Sequence, residues 1–496
     1  MSIDGARPVS FARGPCNRHE AVNSRREFLL RYAFGFGTVP LAYLLDLESA
    51  RGAAFDVDRP RYVDPLAPKT GHVAAKAKSV ILVFLQGGPS HVDTFDPKPE
   101  LNRYDGKLLP PSFPAEALNL QNLKASETKL MGSRFQYKRY GRSGLEVSEL
   151  FQNLAAHADE LAVIRSCHHD SFIHGPALNW LYTGSSMVGH PSVGSWVIYG
   201  LGSEAQDLPA FMVMTDGSLS GRSRKSFSSG FLPAIYQGTL VRTGGSPILD
   251  LSPPPEIDAT EQRLIIENVN RWNARYLEGR EDDSRLAARI ANYELAFRMQ
   301  MAAPALMDIS QEPEHVRKLY ALDAEPSEKF GRMCLIARRM VERGVRFVQL
   351  ISTDWDGHSE CERNHRENSH KIDKPLAGLI QDLKQRGLLE STLLVSTGEF
   401  GRTPIVQGNG GRDHNPYGFS AWMAGAGIRG GKVIGATDEF GFRAVEDKVH
   451  VHDLHATMLS LLGLDHRKLT YFFQGRDRRL TDVGGQNDLV TRLTQG

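Results

Sequence analysis

Residues 79–86 read SVILVFLQ and run directly into Gly87-Gly88-Pro89. An apolar run of this length, rich in β-branched and aromatic side chains and bounded by turn residues, suits a strand covered on both faces. Runs of the same kind recur at 161–164, 210–214, 345–351, 392–397 and 419–424. Helical periodicity alternates with the later ones. Ile372, Leu376, Leu379, Ile380 and Leu383 share one helix face that Gly387 ends, and Leu454, Met458, Leu461 and Leu462 repeat the pattern behind Asp453, the expected N-cap. Strand–helix alternation predicts an α/β fold in which helices wrap a mostly parallel sheet. Residues 258–303 differ, being long, charged and helical in pattern with a break near 279–283; they read as a hairpin or cap within an insertion spanning 216–305.

The whole chain has 496 residues, 41% of them hydrophobic, and carries 59 Lys and Arg against 58 Asp and Glu. This balance provides no basic field for nucleic acid, so no nucleic-acid partner is expected, and the hydrophobic share excludes wholesale disorder. Four scattered cysteines exclude a disulfide scaffold and a paired-cysteine zinc site. Near the N-terminus, Arg25-Arg26 precede an apolar stretch of about 14 residues, too short for a bilayer core that needs roughly 20 in a helix. The pattern resembles a twin-arginine export signal, which places the chain in the periplasm or cell envelope with no permanent membrane span. The expected organisation is a signal region at 1–54, a linker at 55–75, an α/β domain at 76–470 that carries the 216–305 insertion, and a C-terminal tail at 471–496.

In open α/β sheets, ligands bind beyond the carboxyl ends of the strands. Polar clusters follow several of the expected strands: Ser90-His91-Val92-Asp93 after the first, His168-His169-Asp170-Ser171 with His174 after 161–164, Asp354-Trp355-Asp356-Gly357-His358 after 345–351, and Glu399-Phe400-Gly401-Arg402 after 392–397, followed by Arg412-Asp413-His414. Mixed imidazole and carboxylate donors suit zinc, with manganese, iron or calcium as alternatives. Asp354 and His358, four apart, would aim at one ion from a single helical turn, with Glu399 and His414 completing the set; such an ion activates water. Arg402 or Arg412 would clamp an anionic substrate bidentately. Each cluster also has a structural reading: Asp354 and His358 as loop and cap residues, Glu399–Arg402 as an ion pair, Asp413–His414 as a surface pair. Ser90, His91 and Asp93 lie too close in sequence for a hydrolase triad, and the glycines at 408, 410 and 411 match no nucleotide-binding pattern.

The motifs at 87–99, 354–358, 398–404, 411–414 and 453–457 together resemble a family of exported bacterial proteins known as domain of unknown function 1501, placed in the alkaline phosphatase and sulfatase superfamily. The likeness spans about 75–470. It implies an alkaline-phosphatase-like three-layer α/β sandwich. It also implies a first metal held by Asp354 and His358, a carboxylate from Glu399 where the superfamily has Asp-His, and a last ligand in His414. Counting back nine residues from Thr183-Gly184 places His174 where the superfamily carries its nucleophile, and Gln86 or Gly87 replaces an expected aspartate. His174 is thus expected to act in catalysis or ligation, with Ser171 as a nearby hydroxyl, while His91 and Asp93 would join it around a second ion or the substrate. The resulting expectation is a metal-dependent hydrolase of sulfate or phosphate esters, acting on a small molecule or polysaccharide. The alternatives are a catalytically silent binding protein of the same fold and a structural component of the cell envelope.

Overall fold

The computed structural model describes residues 64–113, 124, 126–205, 207–219, 227–242, 257–277, 295, 298–300 and 303–495. The expected signal region, most of the linker and the break at 279–283 lie outside the described residues. At the centre is a nine-stranded sheet. Its strands, in chain order, are β1 (Ser79–Leu85), β2 (Ala162–His168), β3 (Phe211–Thr215), β4 (Thr239–Leu240), β5 (Phe347–Ser352), β6 (Thr392–Thr397), β9 (Phe419–Ala424), β10 (Lys432–Ile434) and β11 (Val449–His450); β7 (Gly401–Gln407) and β8 (Gly411–Asn415) form a separate hairpin. The spatial order is β10-β2-β9-β6-β1-β5-β3-β4, with β11 also paired to β2. All pairings are parallel except those of β9, which runs antiparallel to both β2 and β6.

The opening strand shows why helices must cover both faces. Val80, Leu82 and Phe84 enter one hydrophobic cluster, while Ile81, Val83 and Leu85 enter the other, as the two-residue strand period requires. The first cluster is closed by the helices His174–Thr183, Val193–Leu201 and Val451–Leu461, and the second by Glu328–Glu342 and Cys361–Gln385. The result is a helix–sheet–helix sandwich with a mostly parallel sheet, as the sequence pattern predicts.

Several boundaries differ from expectation. Within the expected C-terminal tail, Leu480, Leu489 and Leu493 are fully or nearly buried in the first cluster. Asp453 is not an N-cap. His450 caps the 451–461 helix, and Asp453, three residues on, reaches back to accept the His450 backbone N–H at 2.8 Å, completing a capping box. Among the described residues of the expected insertion, one long helix appears, Ala259–Leu277. No helix among the described residues is long and apolar enough to cross a membrane.

Parallel order sends the carboxyl ends of β1, β2, β5 and β6 to one edge of the sheet. Because β9 runs the other way, its amino end, which follows the β7–β8 hairpin, arrives at that same edge. Four stretches distant in sequence therefore meet there: the exits of β1, β2 and β5, and the run from β6 through the hairpin to β9.

Candidate metal centre

Four side chains converge at this edge: His174, Asp356, His358 and His414 each offer one donor atom, all within 4.8 Å of one another. Asp356 Oδ1 lies 3.1 Å from His358 Nε2 and 3.4 Å from His414 Nε2, and the two Nε2 atoms are 2.9 Å apart. His174 Nε2 sits 3.2 Å from the second carboxylate oxygen of Asp356.

The hydrogen bonds behind the rings fix which nitrogens point inward. His414 donates Nδ1–H to the Phe172 carbonyl at 2.7 Å, and His358 donates Nδ1–H to Gln407 Oε1 at 2.7 Å. Each ring then has a bare lone pair on Nε2, and the two lone pairs face each other. Such a contact is repulsive unless a proton or a cation lies between them. Tetrahedral zinc with bonds of ~2.0–2.1 Å separates its ligands by roughly 3.3 Å, and the Asp356–His358–His414 triangle has edges close to that. The donor set and its spacing fit a transition-metal ion.

Each ligand is positioned by a local device. The chain leaves β1 through Gly87 (φ +119°) and Gly88 (φ +80°), and at these positions a Cβ would strike the Asp356 backbone nitrogen at 2.5 Å and the Phe400 ring at 2.4 Å. Only glycine lets the 354–358 loop and Phe400 approach so closely. Phe400 stacks on His414 with ring centroids 4.3 Å apart and packs against His174 at 5.0 Å. His414 enters from the β7–β8 hairpin at an irregularity where Thr403, Pro404 and Ile405 oppose the single residue Asp413. Pro404 cannot donate to a ladder, and such irregularities re-aim neighbouring side chains. Here Arg412 is completely buried, while His414 reaches the cluster.

His174 opens its helix and stands between two carboxylates, with Nδ1 2.8 Å from Glu399 Oε1 and Nε2 facing Asp356. Burial alone would lower its pKa, but Asp356 and Glu399 together hold it up to about 9. Burial alone would raise the Asp356 carboxyl, yet the hydrogen bond from His174 and the charge and hydrogen bond of Arg402 carry it far below the ordinary carboxylate range. Burial lowers His414, opposed by Asp356 and reinforced by Arg402 and His174. The site thus keeps an ionised carboxylate beside a neutral imidazole at 414, the forms that bind metal.

Several expected residues stand elsewhere. Asp354 lies outside the cluster because no helical turn forms after β5. It adopts φ +75°, its carbonyl is pinned by the Asn364 and Asn368 carboxamides at 2.7 and 2.8 Å, and its carboxylate meets the Thr353 hydroxyl. Asp356 takes the inward place. Glu399 is fully buried beside the cluster, with both oxygens accepting the Gly87 N–H at 3.0 Å and Oε1 also facing His174; it orients His174 and is not one of the four converging donors.

His91 and Asp93 form no second ion site. His91 is buried and donates Nε2–H to the Gly441 carbonyl at 2.7 Å, and Asp93 pairs with Arg412 at 2.8 Å and accepts the Ser90 hydroxyl at 2.5 Å. Arg402 is no substrate clamp either. With no exposed surface, it donates to the carbonyls of Gly87, Gly88 and Arg412 and to Asp356 Oδ1 at 2.5 Å, so it holds a ligand in place. Arg412 spends its donors on Asp93 and on the Met131, Gly132 and Thr403 carbonyls. Sequence reasoning missed Asp356, although it lies inside the same motif, and missed Gln407 and the Phe172 carbonyl. The first could have been found by weighing both aspartates of the motif equally; the other two leave no local signal.

A family model described as protein of unknown function (DUF1501) matches residues 77–492. No curated protein sequence matches significantly. Among solved structures, the chain is similar to a protein in the alkaline phosphatase superfamily from Vibrio parahaemolyticus, at 12% identity and TM-score 0.34 over 87% of this chain and 76% of that one. It is similar to the PsFucS1 sulfatase from Pseudoalteromonas sp., at 12% identity and TM-score 0.32 over 82% and 72% of the two chains. It is also similar to the alkaline phosphatase from the Antarctic bacterium TAB5, at 10% identity and TM-score 0.30 over 74% and 96%. The chemistry of the site is carried by its own side chains.

Proposed function

The chain belongs to this family of unknown function, DUF1501, and from that premise we propose that it is an exported, metal-dependent hydrolase of sulfate or phosphate esters on a small molecule or polysaccharide. The observation that carries the reading is the pair of bare imidazole nitrogens 2.9 Å apart, closed into a triangle by the ionised Asp356. Asp356, His358 and His414 would hold one divalent ion, zinc being the first choice for two imidazoles and a carboxylate. A divalent ion held there supplies Lewis-acid polarisation of an ester oxygen and activation of water.

The protein's own groups do the rest. Arg402 fixes Asp356 from below, so the carboxylate needs no reorganisation when an ion enters. His174 holds a proton at Nε2 on the rim of the cluster, where a leaving ester oxygen would need one. Phe400 covers one side of His414 and keeps water from that face. Three protein ligands leave room for a substrate oxygen, the pattern of catalytic rather than structural sites.

Metal analysis of the protein recovered after export tests the reading, together with turnover of aryl sulfates and aryl phosphates. The expected outcome is one transition-metal ion per chain and hydrolysis that falls to background in Asp356→Asn and His414→Ala. Absence of bound metal, or variants that retain both metal and turnover, would sink it. One observation favours a second reading, that of a silent binding protein: His174 occupies the place where a hydroxyl nucleophile is expected. That reading predicts stoichiometric metal with no turnover of any ester.

A further inference from the structure

We propose that Gln407 is a positioning residue for the metal centre, its carboxamide oxygen holding His358 in the tautomer that frees Nε2 for the ion. The inference rests on the metal reading above and concerns a side chain that reading does not use.

A histidine ligand is oriented and made more basic by the acceptor behind its other nitrogen, and that acceptor is most often a carboxylate or a backbone carbonyl. His414 has the carbonyl of Phe172, which no substitution removes. His358 has two candidates. Asp413 carries the carboxylate that sequence alone would favour, but its Oδ1 stands 3.9 Å from His358 Nδ1 and accepts the His414 backbone N–H at 2.7 Å. Gln407 Oε1 stands at 2.7 Å. The neutral amide, not the carboxylate, makes the bond.

The backbone explains why Gln407 reaches this ring. It is the last residue of β7 and pairs with Gly411, the first of β8. A Cβ at Gly411 would lie 1.9 Å from the His358 carbonyl oxygen, so the hairpin end rests directly on the His358 backbone. Hydrogen bonds from Glu360 N–H to Asn409 O at 2.8 Å, Cys361 N–H to Gly410 O at 3.0 Å and Arg412 N–H to Gly357 O at 3.0 Å stitch that end to the ligand loop. One rigid unit therefore carries both the ring and its acceptor. The orientation of the amide is decisive. With the oxygen facing Nδ1, the ring proton sits there and Nε2 is bare. With the NH2 group facing it, the proton would move to Nε2, into the 2.9 Å gap opposite His414.

The experiment is a chelator competition with Co2+ on the full chain, reading affinity and the visible ligand-field spectrum for wild type, Gln407→Leu, Gln407→Met, Gln407→Glu and Asp413→Asn. Loss of the acceptor in Gln407→Leu or Gln407→Met should weaken Co2+ binding by about 10–100-fold. Gln407→Glu restores an acceptor and should bind as tightly as wild type or tighter, while Asp413→Asn should leave affinity unchanged. Wild-type affinity in Gln407→Leu and Gln407→Met, or a Gln407→Glu variant as weak as either, overturns the assignment while leaving the metal reading intact. A wild-type protein that takes up no Co2+ overturns the metal reading and this assignment with it.

Discussion

Two buried arginines show how much of the site is set by single side chains. Arg402 and Arg412 lie on facing strands of one hairpin, both without solvent exposure, and both spend their donors on backbone carbonyls and one aspartate each. A guanidinium can satisfy several fixed acceptors at once because its five donors are held in a plane. Read as a sequence, each looks like an anion clamp, because nothing local distinguishes an arginine aimed at solvent from one aimed at a loop. Asp93 depends on Arg412. Burial alone would raise its carboxyl, and the guanidinium, together with His365 and the Ser90 and Ser133 hydrogen bonds, more than offsets that and holds the group ionised. Arg412→Ala would leave a buried, unpaired carboxylate and should cost about 3–5 kcal/mol of stability. Urea unfolding of the variant beside wild type measures it, and a loss below about 1 kcal/mol, the worth of a surface ion pair, would show that Asp93 finds another partner.

At the scale of elements, the strands that were legible from their apolar runs are those buried on both faces, namely β1, β2, β3, β5, β6 and β9, each observed within a few residues of the expected span. The β7–β8 hairpin was not legible. Its residues, GRTPIVQ and GRDHN, carry no apolar alternation, because its inward side chains are arginines whose burial depends on carbonyls from distant loops. The start of the 451–461 helix holds a different kind of information. His450 caps it and His455 lies within it, with His168 and His452 nearby, and burial first, then repulsion from neighbouring histidines, pushes His450 and His455 down to about 3. Burial likewise lowers His169 and His365 to about 4. These rings are neutral in the folded chain and take up protons near pH 6.5 when unfolded. The unfolded state therefore binds more protons at these four positions between about pH 4 and 6.5, so the stability that the neutral rings contribute is complete above that window and falls as pH drops through it. Thermal melts from pH 7.5 to 4.5 should show a declining Tm below about 6.5, and replacing His455 with Gln should shallow the decline. A flat profile would mean that the rings are already protonated in the fold.

At the scale of the whole molecule, the site exists because a parallel sheet gathers its carboxyl ends at one edge, and one reversed strand adds a hairpin to that edge. The proposed export of the folded chain belongs to this scale, since the ligands come together only after the sheet is complete. Lysine at both 25 and 26 should leave the protein in the cytoplasm of its host, read by cell fractionation; unchanged periplasmic recovery would remove the twin-arginine reading. By itself the sequence determined the layering of this protein, because apolar runs and helix faces are local and their burial is dictated by hydrophobicity alone. It also determined which segments carry the polar clusters, since these must follow the strands. Which aspartate turns inward, which arginine is walled in and which amide faces His358 were decided only by the tertiary structure. Those choices depend on φ at Asp354, on the close approach at Gly87 and Gly88, and on carbonyls supplied from hundreds of residues away.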